Sequence, residues 1–269
     1  MSIRRREGDA NEGRSSRAGR RHLVRVTAFL ALPAFIASAF LVLHTSLFAI
    51  GSVPVVGAHE TSTGAIISIA GLNNHPPLID VNPAVAAAKI ESLPWIKGAV
   101  VARHWPKSVT ISVTERVPVA EASIRRHHWE LFDSTGRALG FRGTRTDALV
   151  RLRAIALMPA PGDYATRALA DEVALADALP VALVPKVREV TYSSGDELTA
   201  TLTSGPTVIF GSSLALSDKV VALATLIANN VSFAGVTSIN LRVPSSPVLS
   251  SAPMLVKVPV KATRPAAGG

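Results

Sequence analysis

Residues 98–117 read GAVVARHWPKSVTISVTERV. Val109, Ile111, Val113 and Val117 fall on one parity, and Thr110, Ser112 and Thr114 on the other. Period-two alternation marks a half-buried strand, so Thr110 to Val117 is predicted as a strand with its aliphatic residues inward. Gly98 to His104 is its hairpin partner, and His104-Trp105-Pro106-Lys107-Ser108 is the turn, shaped by Trp105-Pro106. Arg103 and Glu115 then lie on neighbouring strands, where an opposite-charge pair contributes roughly 0.2–1 kcal/mol.

Upstream, two helices are expected. Ser62 to Gly71 is a short one with Ser62 or Thr63 as N-cap. Pro83 to Leu93 is the second: Asn82 fits the cap and Pro83 the first helical position, Val85, Ala88 and Ile90 form its buried side, and Pro94 stops it. Between them Asn73-Asn74 and Pro76-Pro77 break regular structure. Phe48 to Gly57 reads as a short strand, although Gly51, Ser52 and Pro54 are poor strand residues. The order is strand, helix, helix, strand, strand, with Trp95 plugging the core where helix meets sheet.

Beyond Pro118 the pattern is mostly β. Trp129 to Phe132 and Arg137 to Phe141 flank the turn Asp133-Ser134-Thr135-Gly136, and Val150 to Ile155 is a further strand. Val187 to Tyr192 and Leu198 to Leu202 form a hairpin, followed by Thr207 to Phe210 and Thr237 to Val243. Two helices interrupt them, Ala165 to Leu179 and a helix capped by Ser217 that buries Val220, Leu223, Leu226 and Ile227. From Pro244 the Ser-, Pro- and Ala-rich chain is expected to be a flexible tail.

The N-terminal region decides topology. From Val26 to Leu43 no residue is charged, and a bilayer core takes about 20 apolar helical residues. Eight arginines precede this run, and no Lys or Arg follows it until Lys89. Flanking basic residues stay in the cytoplasm, so the chain is predicted to cross once with its N-terminus inside. A cleaved signal peptide has an apolar core of about 7–15 residues and a small-x-small site after it. Here Ala37-Ser38-Ala39 lies within the run. Of the net charge of +9, residues 1–25 carry +5 (8 Arg against Glu7, Asp9 and Glu12). The excess is therefore chiefly topology signal, not a nucleic-acid surface.

Catalytic patterns are lacking in the sequence. Cysteine is absent, which excludes thiolate chemistry and disulfides. The sequence has no P-loop, G-x-S-x-G or H-E-x-x-H pattern. His127-His128 is the one histidine pair, and neighbours on a strand point to opposite faces. Asp133 reads as a turn residue bonding its own backbone. Asp171, Glu172 and Asp177 read as a solvated helix face, Arg125-Arg126-His127-His128 as a solvated basic strand end. Asn230-Val231-Ser232 matches a glycosylation acceptor by pattern alone.

The combination Val55-Val56-Gly57, Leu93-Pro94-Trp95-Ile96, Arg103-His104-Trp105-Pro106 and Glu115-Arg116-Val117-Pro118-Val119-Ala120 resembles the POTRA (polypeptide-transport-associated) domain of FtsQ/DivIB bacterial division proteins. Leu131-Phe132-Asp133 with Gly136, and Gly211 with Lys219, fit the same family more loosely. The resemblance implies an α+β fold: a basic cytoplasmic tail (1–25), a membrane helix (26–50), a POTRA-like βααββ domain (51–119), a mainly antiparallel β domain (120–243) and the tail (244–269). It implies a non-catalytic, cofactor-free scaffold at the division septum, linking FtsB, FtsL and, through them, FtsW and its transpeptidase. In that family the last strand of the β domain is the docking edge, matched here by Ser238, Ile239, Asn240, Leu241, Arg242 and Val243. Leu241 would then offer its N–H to the partner. Two rivals are an anchored wall hydrolase, which would need a carboxylate pair or a Ser/His arrangement, and a translocation or chaperone-like POTRA module, which usually carries several repeats or a barrel.

On this reading a reporter fused after Ala267 should be active outside the cytoplasm. N-terminal sequencing should find Met1 or Ser2; a chain starting near Ala39 or Ala49 would show cleavage instead.

Overall fold

The computed structural model describes residues 31–125, 128–153, 158–193, 195, 197–229 and 231–251. The chain forms two compact units. One comprises the residues up to Ser92 with Ile96–Glu115, and the other Leu93–Trp95 with the residues from Arg116 onward.

In the first unit, residues 31–43 are helical. Leu32, Phe35, Ile36, Phe40, Leu41 and Val42 are each at least half exposed on this helix. Among the described residues no helix is long and apolar enough to cross a membrane; the expected span begins at Val26, and residues 26–30 lie outside them. Then come β1 (Val55–Val56), α1 (Thr63–Ile69), α2 (Pro83–Glu91), β2 (Ile96–His104) and β3 (Ser108–Glu115). β3 is the centre of a three-stranded sheet, antiparallel to β2 and parallel to β1. Ser62 caps α1 by accepting from Ala65 N–H, and Asn82 caps α2 by accepting from Ala84 and Val85 N–H. Val109, Ile111 and Val113 are buried as the alternation predicts.

Four expectations change here. Val117 lies past the end of β3 and is exposed. α2 buries Ala86 and Ile90, a spacing of four, and leaves Val85 and Ala88 in solvent. Its run of alanines carries no apolar stripe strong enough to set the phase from sequence. Arg103 pairs in register with Val109, not Glu115; its guanidinium donates to the Val81 carbonyl. Trp95 belongs to the second unit and is half-buried, beside Gly140.

The second unit is built on a nine-stranded sheet in the order β12-β11-β10-β9-β8-β7-β4-β5-β6. The strands are β4 (Pro118–Arg125), β5 (His128–Asp133), β6 (Ala138–Arg142), β7 (Val150–Leu152), β8 (Val187–Ser193), β9 (Glu197–Leu202), β10 (Thr207–Gly211), β11 (Val236–Asn240) and β12 (Val248–Ser251). Most neighbours are antiparallel, but β4–β7, β7–β8 and β10–β11 are parallel. α3 (Arg167–Ala178) and α4 (Leu216–Ala228) supply the crossovers for β7–β8 and β10–β11, while the β5–β6 hairpin lies between β4 and β7. Leu169, Val173, Val220 and Leu223 on these helices share one core with Ala120, Phe132, Val190, Ala200, Phe210 and Ile239 from the strands. Ser217 lies in the first turn of α4; the cap position is Ala215, with φ 51° and no side-chain cap bond. β4 went unseen in the sequence because Pro118 reads as a break, whereas proline is admitted at a strand's first residue.

Gly57 has φ +87°, and a Cβ there would lie 2.1 Å from the Val113 carbonyl oxygen. Gly57→Ala should therefore destabilise the first unit by at least about 2 kcal/mol. Thermal melts of the full chain in detergent test this.

Candidate partner-docking edge

The expected docking segment is not at the sheet edge. β11 is hydrogen-bonded on both sides, parallel to β10 and antiparallel to β12. Ile239 and Leu241 are fully buried, and Leu241 N–H donates to the Ile209 carbonyl at 2.8 Å. Proline at Leu241 would thus break an internal bond rather than an outward one. The Asn240 side chain accepts from Arg242 N–H at 3.0 Å. Arg242 lies over Gly211 and pairs with Glu197. Val243 is exposed. The stretch Ser238–Val243 thus splits into an inner strand and a pinned loop.

The outermost strand is β12, drawn from the segment expected to be a free tail. All four of its residues are exposed, with Val248 57% and Leu249 38% accessible. Its inner side pairs Asn240 with Val248 and Ile239 with Leu249, and the Thr237 hydroxyl donates to the Ser250 carbonyl. Among the described residues nothing pairs with its outer side. Only Pro247-Val248-Leu249, between serine pairs, hints at a strand in the sequence. Four residues are too few for a periodicity signal.

Charged groups stiffen this unit from within. Arg116 and Asp133 form an ion pair at 2.6 Å, 12% and 6% accessible. Asp133 also accepts from Thr135 N–H and hydroxyl and from Arg137 N–H. Burial pushes the Asp133 carboxyl up, but the Thr135 hydroxyl, Arg116 and these N–H donors outweigh it, and the net direction is down. The expected turn role for Asp133 holds, with Arg116 added. In the first unit, Glu115 accepts from the successive N–H groups of His59, Glu60 and Thr61 at 2.8–3.1 Å. Burial raises its carboxyl, and those donors more than reverse the effect.

For three further buried glutamates the effect of burial prevails. Glu130 accepts from Gly140 N–H and Glu172 from Tyr192 N–H, and the second oxygen of each has no hydrogen-bond partner among the described residues. Burial pushes both carboxyls up to about 7 against that single N–H. Glu121 is raised by burial too, opposed by Thr146 N–H and Arg145. Glu172 was expected on a solvated face; it is 2% exposed, because α3 turns this position toward β8. Lys219 is also buried, donating to the Ser212 carbonyl at 2.8 Å, and burial lowers its ammonium.

No cluster of three His, Cys, Asp or Glu side chains among the described residues is placed to hold a metal ion. The histidine pair, the basic strand end and the glycosylation pattern each include residues outside the described set: 126, 127 and 230.

Residues 48–116 match the POTRA domain family of the FtsQ type. The chain is 29% identical over 206 residues to the cell division protein FtsQ of Mycolicibacterium smegmatis, covering 76% of this chain and 60% of that protein. It is 24% identical to FtsQ of Corynebacterium glutamicum, covering 66% of this chain and 78% of the relative. A solved structure of the major extracytoplasmic domain of the cell division protein DivIB from Geobacillus stearothermophilus aligns at 20% identity. It covers 44% of this chain and 99% of that one, with a TM-score of 0.33.

The raised glutamates predict a pH dependence. A carboxyl whose value rises from 4.5 unfolded to about 7 folded binds more protons in the folded state across that window. Its contribution is fully present below pH 4.5 and is lost as pH rises through about 7, up to about 3 kcal/mol per group. Glu172→Gln keeps the acceptor for Tyr192. It should raise stability at pH 8 and flatten the fall between pH 4.5 and 8, read by denaturant melts of the chain in detergent.

Proposed function

We propose that the chain, whose residues 48–116 match the POTRA domain of the FtsQ type and which is similar to FtsQ proteins over most of its length, is a division protein of the FtsQ/DivIB family: a single-pass membrane scaffold of the division machinery, without catalytic activity. Its partners are FtsB- and FtsL-like membrane proteins and, through them, FtsW and its transpeptidase at the septum. The physical mode is strand addition: an extended segment of the partner takes the open side of β12, with main-chain hydrogen bonds giving affinity and alternate side chains giving specificity. The observation that carries this reading is the outer side of β12, with which nothing pairs among the described residues, flanked by the exposed apolar side chains of Val248 and Leu249. A sheet edge of this kind is a template for another chain unless it is blunted, and Val248–Ser251 contains neither charge nor proline. The docking strand is thus moved one strand outward from Ser238–Val243.

The membrane part of the proposal rests on the apolar run from Val26 and on the exposed apolar side chains of residues 31–43. An 18-residue helix rises about 27 Å, close to the about 30 Å of a hydrocarbon core. The basic segment before it keeps the N-terminus in the cytoplasm.

Successive N–H groups of a strand point to opposite sides, so one of Leu249 and Ser250 directs its N–H outward. Of Leu249→Pro and Ser250→Pro, at least one should fold normally and lose capture of FtsB- and FtsL-like proteins from solubilised membranes of dividing cells. Folding is checked by circular dichroism. Two folded variants with unchanged capture would remove β12 as the docking edge.

A further inference from the structure

We propose that the tip of the β2–β3 hairpin is a membrane-interface anchor, with Trp105, Phe48 and Leu47 lying in the headgroup layer of the bilayer and seating the first unit on that surface. The proposal rests on the membrane reading above and adds an orientation to it. Trp105 is 54% exposed and Leu47 62%. The Phe48 and Trp105 rings meet edge to face, with centroids 5.9 Å apart. Single exposed apolar side chains are ordinary; the position of these sets them apart. The exposed apolar helix ends at residue 43, and the chain turns at once, with Thr45 N–H bonding to the Val42 carbonyl and Phe48 N–H to the Thr45 carbonyl. Three residues further on, Gly51 N–H donates to the Lys107 carbonyl at 2.8 Å. The strand-like segment that leaves the helix is therefore tied directly to the hairpin tip.

Distances decide the environment. The polar layer on each side of a bilayer is roughly 5–8 Å deep, the difference between its total thickness and its hydrocarbon core. Phe48 is five residue steps beyond Leu43, an upper limit of about 18 Å if extended, and the two turns shorten that. The ring pair thus stays within about 18 Å of the helix end, within reach of that polar layer. Tryptophan, with an apolar ring and one N–H donor, concentrates in this layer. His104 and Lys107 beside it are exposed, and Lys107 can turn its ammonium to lipid phosphate while its stem stays on the apolar surface.

The absence of native cysteine allows a clean test. Single cysteines are placed at Lys107 and at Lys97, an exposed position near the start of β2, about 23 Å along the strand from His104. The full chain is spin-labelled and reconstituted into vesicles of phosphatidylethanolamine and phosphatidylglycerol. The label at 107 should be several-fold less accessible to a water-soluble nickel reagent than the label at 97. In vesicles with lipids brominated near the headgroup, the emission lost in Trp105→Phe should be the quenched component of the wild type. Alkaline extraction of the same vesicles reports the membrane helix separately. A chain that resists extraction but shows equal nickel access at both sites, or unquenched Trp105 emission, overturns the interface anchor and leaves the helix standing; the tip would then be a surface for a protein partner. A chain that is extracted overturns both.

Discussion

A sheet has two faces and two edges, and each must be satisfied by something. In the second unit the alternate residues Val190, Ala200, Phe210 and Ile239 point to one face. α3 and α4 cover that face, and burying it provides most of the unit's hydrophobic stabilisation. Two of the three parallel joins follow from this arrangement, because a strand that returns beside its predecessor in the same direction needs a crossover. α3 lies in the connection between β7 and β8 and α4 in that between β10 and β11. The edges cannot be covered the same way. β12 closes β11 but leaves its own outer side unpaired among the described residues, and the proposed function follows from that remainder.

Glu115 and Arg116 are neighbours in sequence that serve different units. Glu115 gathers three consecutive N–H groups in front of α1. Arg116 neutralises Asp133, whose other bonds hold the β5–β6 turn. A buried pair of this kind is weak evidence of net stability, because desolvation offsets the attraction, but removing one partner leaves a buried charge. That asymmetry gives the Glu-Arg dipeptide a structural reason for its place in the motif. Glu130 and Glu172 have no such counter-charge among the described residues, and burial pushes their carboxyls up to about 7.

Much of the architecture was legible in the chain itself. Period-two alternation over Val109 to Val113 set the central strand of the first unit. Ser62 and Asn82 marked helix starts because their side chains satisfy N–H groups that no helix can satisfy internally. The Glu-Arg-x-Pro and Arg-x-Trp-Pro motifs pointed to the family that the comparisons support. These features are local: each depends on a few neighbouring residues and on rules that hold in any fold.

Only the tertiary structure decided which strand is outermost, which charges are buried and where Trp105 lies. Strand order depends on pairing between distant segments, and nothing in Thr237 to Val243 announces that Val248–Ser251 will lie against it. Glu172 and Asp171 are equally polar in sequence; the rotation of α3 against β8 buries the first and leaves the second partly exposed. Trp95 and Trp105 are both followed or preceded by proline in one motif, yet the fold sets one beside Gly140 and the other in the open beside Phe48. Composition and spacing determine what each segment can form by itself. Long-range packing determines what it is placed against, and the proposed docking edge and the proposed membrane-facing tip are properties of that placement.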